Sequence, residues 1–300
     1  MHWKGNSKMG ASTIAANDLL ARELDRWKAN RLIANFWWRD DDAQFANDAF
    51  KRLTDLAGSE SLPLVLAVSP MLMTDGFVAR LNSLRDVSIA AHGYRHINHA
   101  TAPLKGEFGP DRSLEVMRRE IEELAGEFAV RFPNRGIAMF VPPWHGLDPR
   151  LVSDLARVGF KVLSMFESRV TRGLGLAAGQ LSAIGLALPR RSIKLRRGSI
   201  QRLDCSVSVL SYEGGNITGN RRIFEKAVRA LSARRLGFLP VAQPIGILTH
   251  HLLHDEDAWK YLSQILTLTA RHPAVRYLPS EELSTKFGPS ISNRTRVFSS

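Results

Sequence analysis

The chain has 300 residues, 44 % of them hydrophobic, which is enough apolar surface for one sizeable core and an ordinary length for a single α/β barrel. Its 41 Lys plus Arg against 29 Asp plus Glu leave a net charge of +12, and a single cysteine, Cys205, excludes a disulfide framework within the chain. No apolar run is long and unbroken enough to span a bilayer, because the stretch "GLGLAAGQLSAIGLALP" is interrupted by glycines, Gln180 and Ser182.

Residues 1–31 read as a helical extension without an apolar leader segment, and together with the lone cysteine this leads to the expectation of a cytoplasmic protein. From residue 32 onwards short apolar runs recur: "LIANFWW" (32–38), "LPLVLAV" (62–68), "VSIAA" (87–91), "GIAMFV" (136–141), "FKVLSMF" (160–166) and "IGILT" (245–249). Each has the length and β-branched or aromatic content of a buried strand. Between most of them lie segments of helical spacing, such as "DRSLEVMRREIEELAGEFAVRF", where Leu114, Met117, Ile121, Leu124 and Phe128 share a face and Asp111 is the expected N-cap. Strand alternating with helix predicts a parallel sheet, and at this length a barrel over residues 32–280, followed by a tail at 281–300. The strip "RRSIKLRRGSIQR" (190–202) holds six basic residues and no acid. It lacks the interleaved aromatic residues on which bases stack, so it reads as a solvated face and no nucleic-acid partner is expected.

In α/β barrels the site gathers at the carboxyl ends of the strands, so the residues following each run bear on function. "LIANFWW" runs into Arg39 and three adjacent aspartates, Asp40, Asp41 and Asp42. "HGYRHINH" follows "VSIAA", "PPWHG" follows "GIAMFV", and "HHLLHD" follows "IGILT". Three neighbouring carboxylates repel one another unless a cation, solvent or a shared proton relieves them. His92 and His96, four apart, can ligate one ion if they lie on a helical turn, and a carboxylate from the aspartate run would complete an Asp/His/His set with open positions, a common catalytic zinc or iron arrangement.

Taken in order, "WRDDD", "HGYRH", "FVPPW" and "ILTHH" resemble four motifs of the polysaccharide deacetylase family, also called the NodB-homology or carbohydrate esterase family 4 domain. The resemblance covers roughly residues 32–255, and the flanking "HINHATAPLKGEFG" and "LTHHLLHDEDAW" resemble an uncharacterised bacterial subgroup. It implies a distorted (β/α)7 barrel that removes acetyl groups from sugars with a divalent ion, most simply Zn2+, and an N-acetylated saccharide or glycan precursor as substrate. Carried over residue by residue, Asp40 would be the general base and Asp41, His92 and His96 the metal ligands. Asp42 stands where the family usually has glycine, so the aspartate pair can also be read one residue later. His250 matches the catalytic histidine, Pro143, Trp144 and His251 fall on the substrate side, and the backbone N–H of Trp144 would serve the oxyanion. His99 lies outside the motif, as a loop or substrate-side residue.

Two departures bear on chemistry. Val141 occupies the place of the arginine that usually partners the base aspartate, leaving Arg39 as the nearby cation. "VSVLSYEGG" stands for a later Asp/Trp motif with Ser211 and Tyr212 instead. Two other readings stay open from sequence: hydrolysis of a non-sugar amide at the same site, and a degenerate, non-catalytic module binding a polyanion or glycan.

Overall fold

A computed structural model describes residues 7–101, 105–167, 200–213, 216–279 and 282–283. The basic strip, apart from 200–202, and almost all of the 281–300 tail lie outside the described residues.

The chain enters through α1 (Ser7–Ala29), whose Leu20, Leu24 and Trp27 are fully buried. β1 (Ala34–Asp41), β2 (Leu64–Val68), β3 (Val87–Ala91) and β4 (Gly136–Phe140) follow, separated by α2 (Asp48–Ser59), α3 (Asp75–Ser83) and α4 (Leu114–Arg131). Next come α5 (Val152–Arg157), β5 (Val162–Leu163), β6 (Gln201–Arg202), β7 (Cys205–Ser208) and the hairpin β8 (Leu210–Glu213) with β9 (Asn216–Gly219). α6 (Ile223–Arg235), β10 (Ile245–Thr249), α7 (Glu256–Ala270) and β11 (Val275–Tyr277) complete the described elements. All six apolar runs contain strands, and β3 and β10 coincide with "VSIAA" and "IGILT".

The main sheet is parallel and runs β6, β5, β4, β3, β2, β1, β10, β7, with β11 paired to the start of β1. It curls back on itself because segment 201–208 has neighbours on both sides. Leu203 N donates to Leu163 O (3.1 Å), Cys205 N to Met165 O (2.8 Å) and Glu167 N to Cys205 O (2.9 Å), while Cys205 also lies in register with Gly246 of β10. The result is the expected distorted (β/α)7 barrel.

Alternation along each strand divides the apolar residues between two cores. Trp37, Val65, Ala67, Ala90, Met139 and Leu248 fill the lumen. Phe36, Trp38, Leu66, Ile89 and Ile247 face outward into the layer beneath the helices. Both sides of the central strands are covered, as a parallel sheet requires, so β2, β3, β4 and β10 are almost continuously apolar. Helix α2 starts where Asn47 accepts from Phe50 N (2.8 Å), and its Phe50, Leu53 and Ala57 face the sheet at helical spacing. In α4 the predicted face is correct: Met117, Ile121, Leu124 and Phe128 are buried. Its cap is not Asp111 but Ser113, because the turn at Gly109–Arg112 occupies the residues before it.

Candidate active site

A cavity of about 880 Å3 opens at the carboxyl ends of the strands. The end of β1 brings Asp41 and the next residue, Asp42, to it, the turn after β3 brings His92 and His96, the turn after β4 brings Trp144 and His145, and the residue after β10 is His250. The hairpin β8/β9 forms one wall with Tyr212 and Ile217, which face each other across its register. Asp255 holds that wall in place: it caps α7 through Ala258 N (2.7 Å) and also accepts from Gly219 N at 3.1 Å.

Three side chains converge at the floor. Asp42 Oδ1 lies 3.2 Å from His92 Nε2 and 3.1 Å from His96 Nε2, and the three candidate ligand atoms fall within 4.8 Å of one another. His92 Nδ1 is 2.9 Å from Val141 O, so a proton on Nδ1 donated to that carbonyl leaves Nε2 a free lone pair toward the cluster. The donor set fits a divalent ion, because Asp42 Oδ1 is buried with no hydrogen bond of its own and two imidazole nitrogens face it. Burial alone would raise the Asp42 pKa, but His92 and then His96 outweigh it and hold the carboxyl well below its ordinary range.

Beside this cluster Asp41 is clamped by Arg39. The guanidinium donates from Nε to Oδ1 (2.7 Å) and from Nη2 to Oδ2 (3.0 Å), and its Nη1 reaches Ser164 Oγ at 2.5 Å. The two residues are two apart in one strand and therefore project to the same side. Arg39 has no exposed surface, and its charge overrides the burial that would otherwise raise the Asp41 pKa, so Asp41 stays ionised. Arg39 thus stands as the cation beside a cavity carboxylate, where the sequence offers Val141 in place of an arginine.

Backbone geometry at the cavity is unusual. Of seven non-glycine residues with positive φ among the described residues, four line it: Asp42 (+68°), His96 (+51°), Trp144 (+51°) and His145 (+59°). Such backbone concentrates where a site must be held in one arrangement. It also excludes the helical turn expected for His92 and His96: Gly93 (φ +68°) and His96 both lie in the left-handed region, and the pair meets across an irregular loop instead.

No protein-family model matches the chain, and no curated protein matches it by sequence. Among solved structures, one from Mycobacterium smegmatis assigned as a polysaccharide deacetylase aligns over 85 % of this chain and 90 % of its own, with a TM-score of 0.55 at 13 % identity. The chain has the polysaccharide deacetylase fold. A family 4 carbohydrate esterase from Streptomyces lividans, solved with acetate, aligns over 86 % and 97 % of the two chains with a TM-score of 0.48 at 12 % identity.

Within this deacetylase fold the residues singled out from sequence separate into two groups. Asp41, His92, His96, Trp144 and His250 line the cavity. Asp40, Pro143 and His251 do not. Asp40 projects from the opposite side of β1, is completely buried, and accepts from His251 N (2.9 Å) with its other oxygen 2.5 Å from His251 Nδ1. His251 packs against Phe50 of α2 in the outer layer. Pro143 is buried with its ring against Gly93, behind the loop that carries His96. The cavity therefore receives Asp41 and Asp42 where the first register expects Asp40 and Asp41, and His250 rather than His251. Strand alternation is the reason: adjacent residues cannot both face the lumen, and Asp42 reaches the cavity only because the chain turns at its positive φ. His99 lines a separate recess with Tyr94, Glu107 and Glu123.

Trp144 stands with its ring 4.4 Å from that of His96, so it is both cavity wall and packing partner of a candidate ligand. His250 Nδ1 is buried with no hydrogen-bond partner. His145, quoted within "PPWHG" but given no role from sequence, lies in the same cavity against Phe166 (6.1 Å between rings). Burial and the nearby Arg39 push it down to about 4, so it is neutral at physiological pH. The same strand-end rule that singled out Trp144 applies to it.

Proposed function

We propose that the protein is a metal-dependent hydrolase that removes the acetyl group from an N-acetylated sugar or glycan precursor. The observation that supports this most is the convergence, in one cavity, of the Asp42/His92/His96 group, the Arg39-clamped Asp41 and His250. Asp42, His92 and His96 would hold a divalent ion, Zn2+ being the simplest choice for one carboxylate and two imidazoles with positions left open. Bound there, the ion would supply Lewis acidity toward the acyl carbonyl and acidify a water molecule.

The remaining work falls to this chain's own groups. Asp41, ionised and fixed by two hydrogen bonds from Arg39, takes the proton of the attacking water. The backbone N–H of Trp144 is offered to the developing oxyanion, an interaction whose removal commonly costs about 3 kcal/mol of transition-state stabilisation. His250 gives a proton to the departing nitrogen, without which an amine is a poor leaving group. Trp144 and Tyr212 present aromatic faces on which a sugar ring can stack.

The test is acetate release from a panel of N-acetylated mono- and oligosaccharides, run on protein of known metal content before and after chelation. Stoichiometric metal with chelator-sensitive acetate release is the expected outcome. Metal binding without release from any acetylated saccharide, but with hydrolysis of simple amides, would move the substrate to a non-sugar amide. Metal-free protein that hydrolyses equally well would remove the mechanism.

A further inference from the structure

The loop 93–97 that presents His96 forms no helix or strand, and its backbone N–H groups are gathered by one side chain from elsewhere. Glu107 is 1 % exposed. Its Oε2 accepts from Tyr94 N (2.9 Å), and its Oε1 accepts from Arg95 N (2.6 Å) and Ile97 N (3.5 Å). Gly93, at φ +68°, leaves the space the carboxylate fills, since a Cβ there would collide with Glu107 Oε2 and the Pro143 ring. Successive backbone N–H groups in a turn form a concave anion site, and here the anion is built into the chain.

Glu107 is itself fixed. Its carbonyl accepts from Arg112 Nη1 (2.9 Å), and Arg112 is held by a forked pair to Glu120 of α4 at 2.8 Å each. The next residue, Phe108, bridges in parallel with Leu147 and accepts from Asp148 N (2.7 Å), just beyond the turn that carries Trp144 and His145. The loop has a second tie to α4, Tyr94 Oη donating to Glu123 at 2.6 Å.

We infer that Glu107 is a positioning residue: its carboxylate sets the loop conformation that aims His96 Nε2 at Asp42 and His92. This rests on the metal reading of that cluster. It also gives the stretch "HINHATAPLKGEFG" a task, because Glu107 closes it over the loop in which it begins. A residue that orients a ligand from behind typically changes metal affinity roughly 10- to 100-fold when removed.

The test compares wild type, Glu107→Ala and Glu107→Gln by Co2+ titration followed through visible absorption, with amide hydrogen exchange measured on the metal-free proteins. In Glu107→Ala, Co2+ affinity is expected to fall roughly tenfold or more, the ligand-field band to shift, and exchange at Tyr94, Arg95 and Ile97 to speed up. Glu107→Gln keeps one acceptor oxygen and should lie between alanine and wild type. Faster exchange in Glu107→Ala with wild-type affinity and band would reduce Glu107 to a loop staple and overturn the positioning role. If the alanine variant does not fold, wild-type affinity and band in Glu107→Gln overturn it. Wild type that takes up no Co2+ removes the metal reading and this inference with it, whereas intact binding in wild type and both variants removes the inference alone.

Discussion

The two sides of β1 differ in what their acids do. On the lumen side, Asp41 and, beyond the strand, Asp42 meet an arginine and two histidines at the floor of a cavity. On the helix side Asp40, between Arg39 and Asp41 in sequence, meets the backbone and ring of His251 with no solvent contact. The same side-chain chemistry, shifted by one residue, is offered to a ligand on one side and used up by the fold on the other. Substitutions should therefore separate cleanly, with lumen-side changes affecting ion and turnover and helix-side changes affecting stability.

The largest effect is expected for Asp42→Ala or His92→Ala, each of which leaves two donors. Bound divalent metal, measured by elemental analysis after dialysis, should fall at least 100-fold in affinity and activity should vanish with it. Asp41→Asn should keep the ion and lose activity by about 10²- to 10⁴-fold, the usual worth of a positioned base. Loss of metal together with activity in that variant would make Asp41 a ligand and move the boundary between the two sides.

His250→Ala sharpens the comparison within the adjacent histidine pair. It should depress hydrolysis of an N-acetyl amide far more than that of an activated acetate ester, whose leaving group departs without a proton, while His251→Ala shows no such selectivity. Equal losses on both substrates would end the general-acid assignment for His250.

On the helix side, Asp40→Asn forfeits one of two buried charge-assisted hydrogen bonds and should cost about 1–3 kcal/mol in denaturant unfolding, with metal content unchanged. Metal loss there would show that the two sides are coupled.

An effect of similar size, seen only as the pH falls, concerns His254, near Asp40 and His251, whose pKa burial pushes down to about 4. The unfolded chain binds a proton near the ordinary value of 6.5 and the folded chain does not until about 4. Stability from this source is complete above 6.5 and falls as the pH drops toward 4. His254→Phe, which retains the contact with Trp259, should reduce that acid loss by about 2 kcal/mol between pH 7 and pH 4, a figure discounted for partial exposure of the ring. An unchanged pH dependence of unfolding would exclude it.

How far sequence could see follows from the same alternation. The strands were legible because both sides of a parallel sheet are apolar, and "VSIAA" or "IGILT" has no other good use. Their ends were legible as site-bearing because chemistry-bearing residues follow them. What stayed hidden depended on where a chain turns. The period of two says that only one of Asp40 and Asp41 faces the lumen, and nothing in the letters says which; nor do they reveal that Asp42 adopts a positive φ and joins it. The strand Cys205–Ser208 and the hairpin after it are short and mixed in polarity, so they lacked the uniform apolar signal of the others. Glu107 is fifteen residues beyond His92 and bonds only to backbone, which leaves no side-chain pattern to read.

The left-handed backbone at His96, Trp144 and His145 sets up a conflict under selection. A side chain held in such sparsely populated backbone costs on the order of 1 kcal/mol or more, and glycine would relieve it. A library screened only for heat resistance should therefore accumulate glycine at these positions, each gain erasing a ligand or a wall of the cavity. Screening the same library for retained metal should reject those changes, so the positions where the two screens disagree would map, without any substrate in hand, the part of the chain maintained for work rather than for folding.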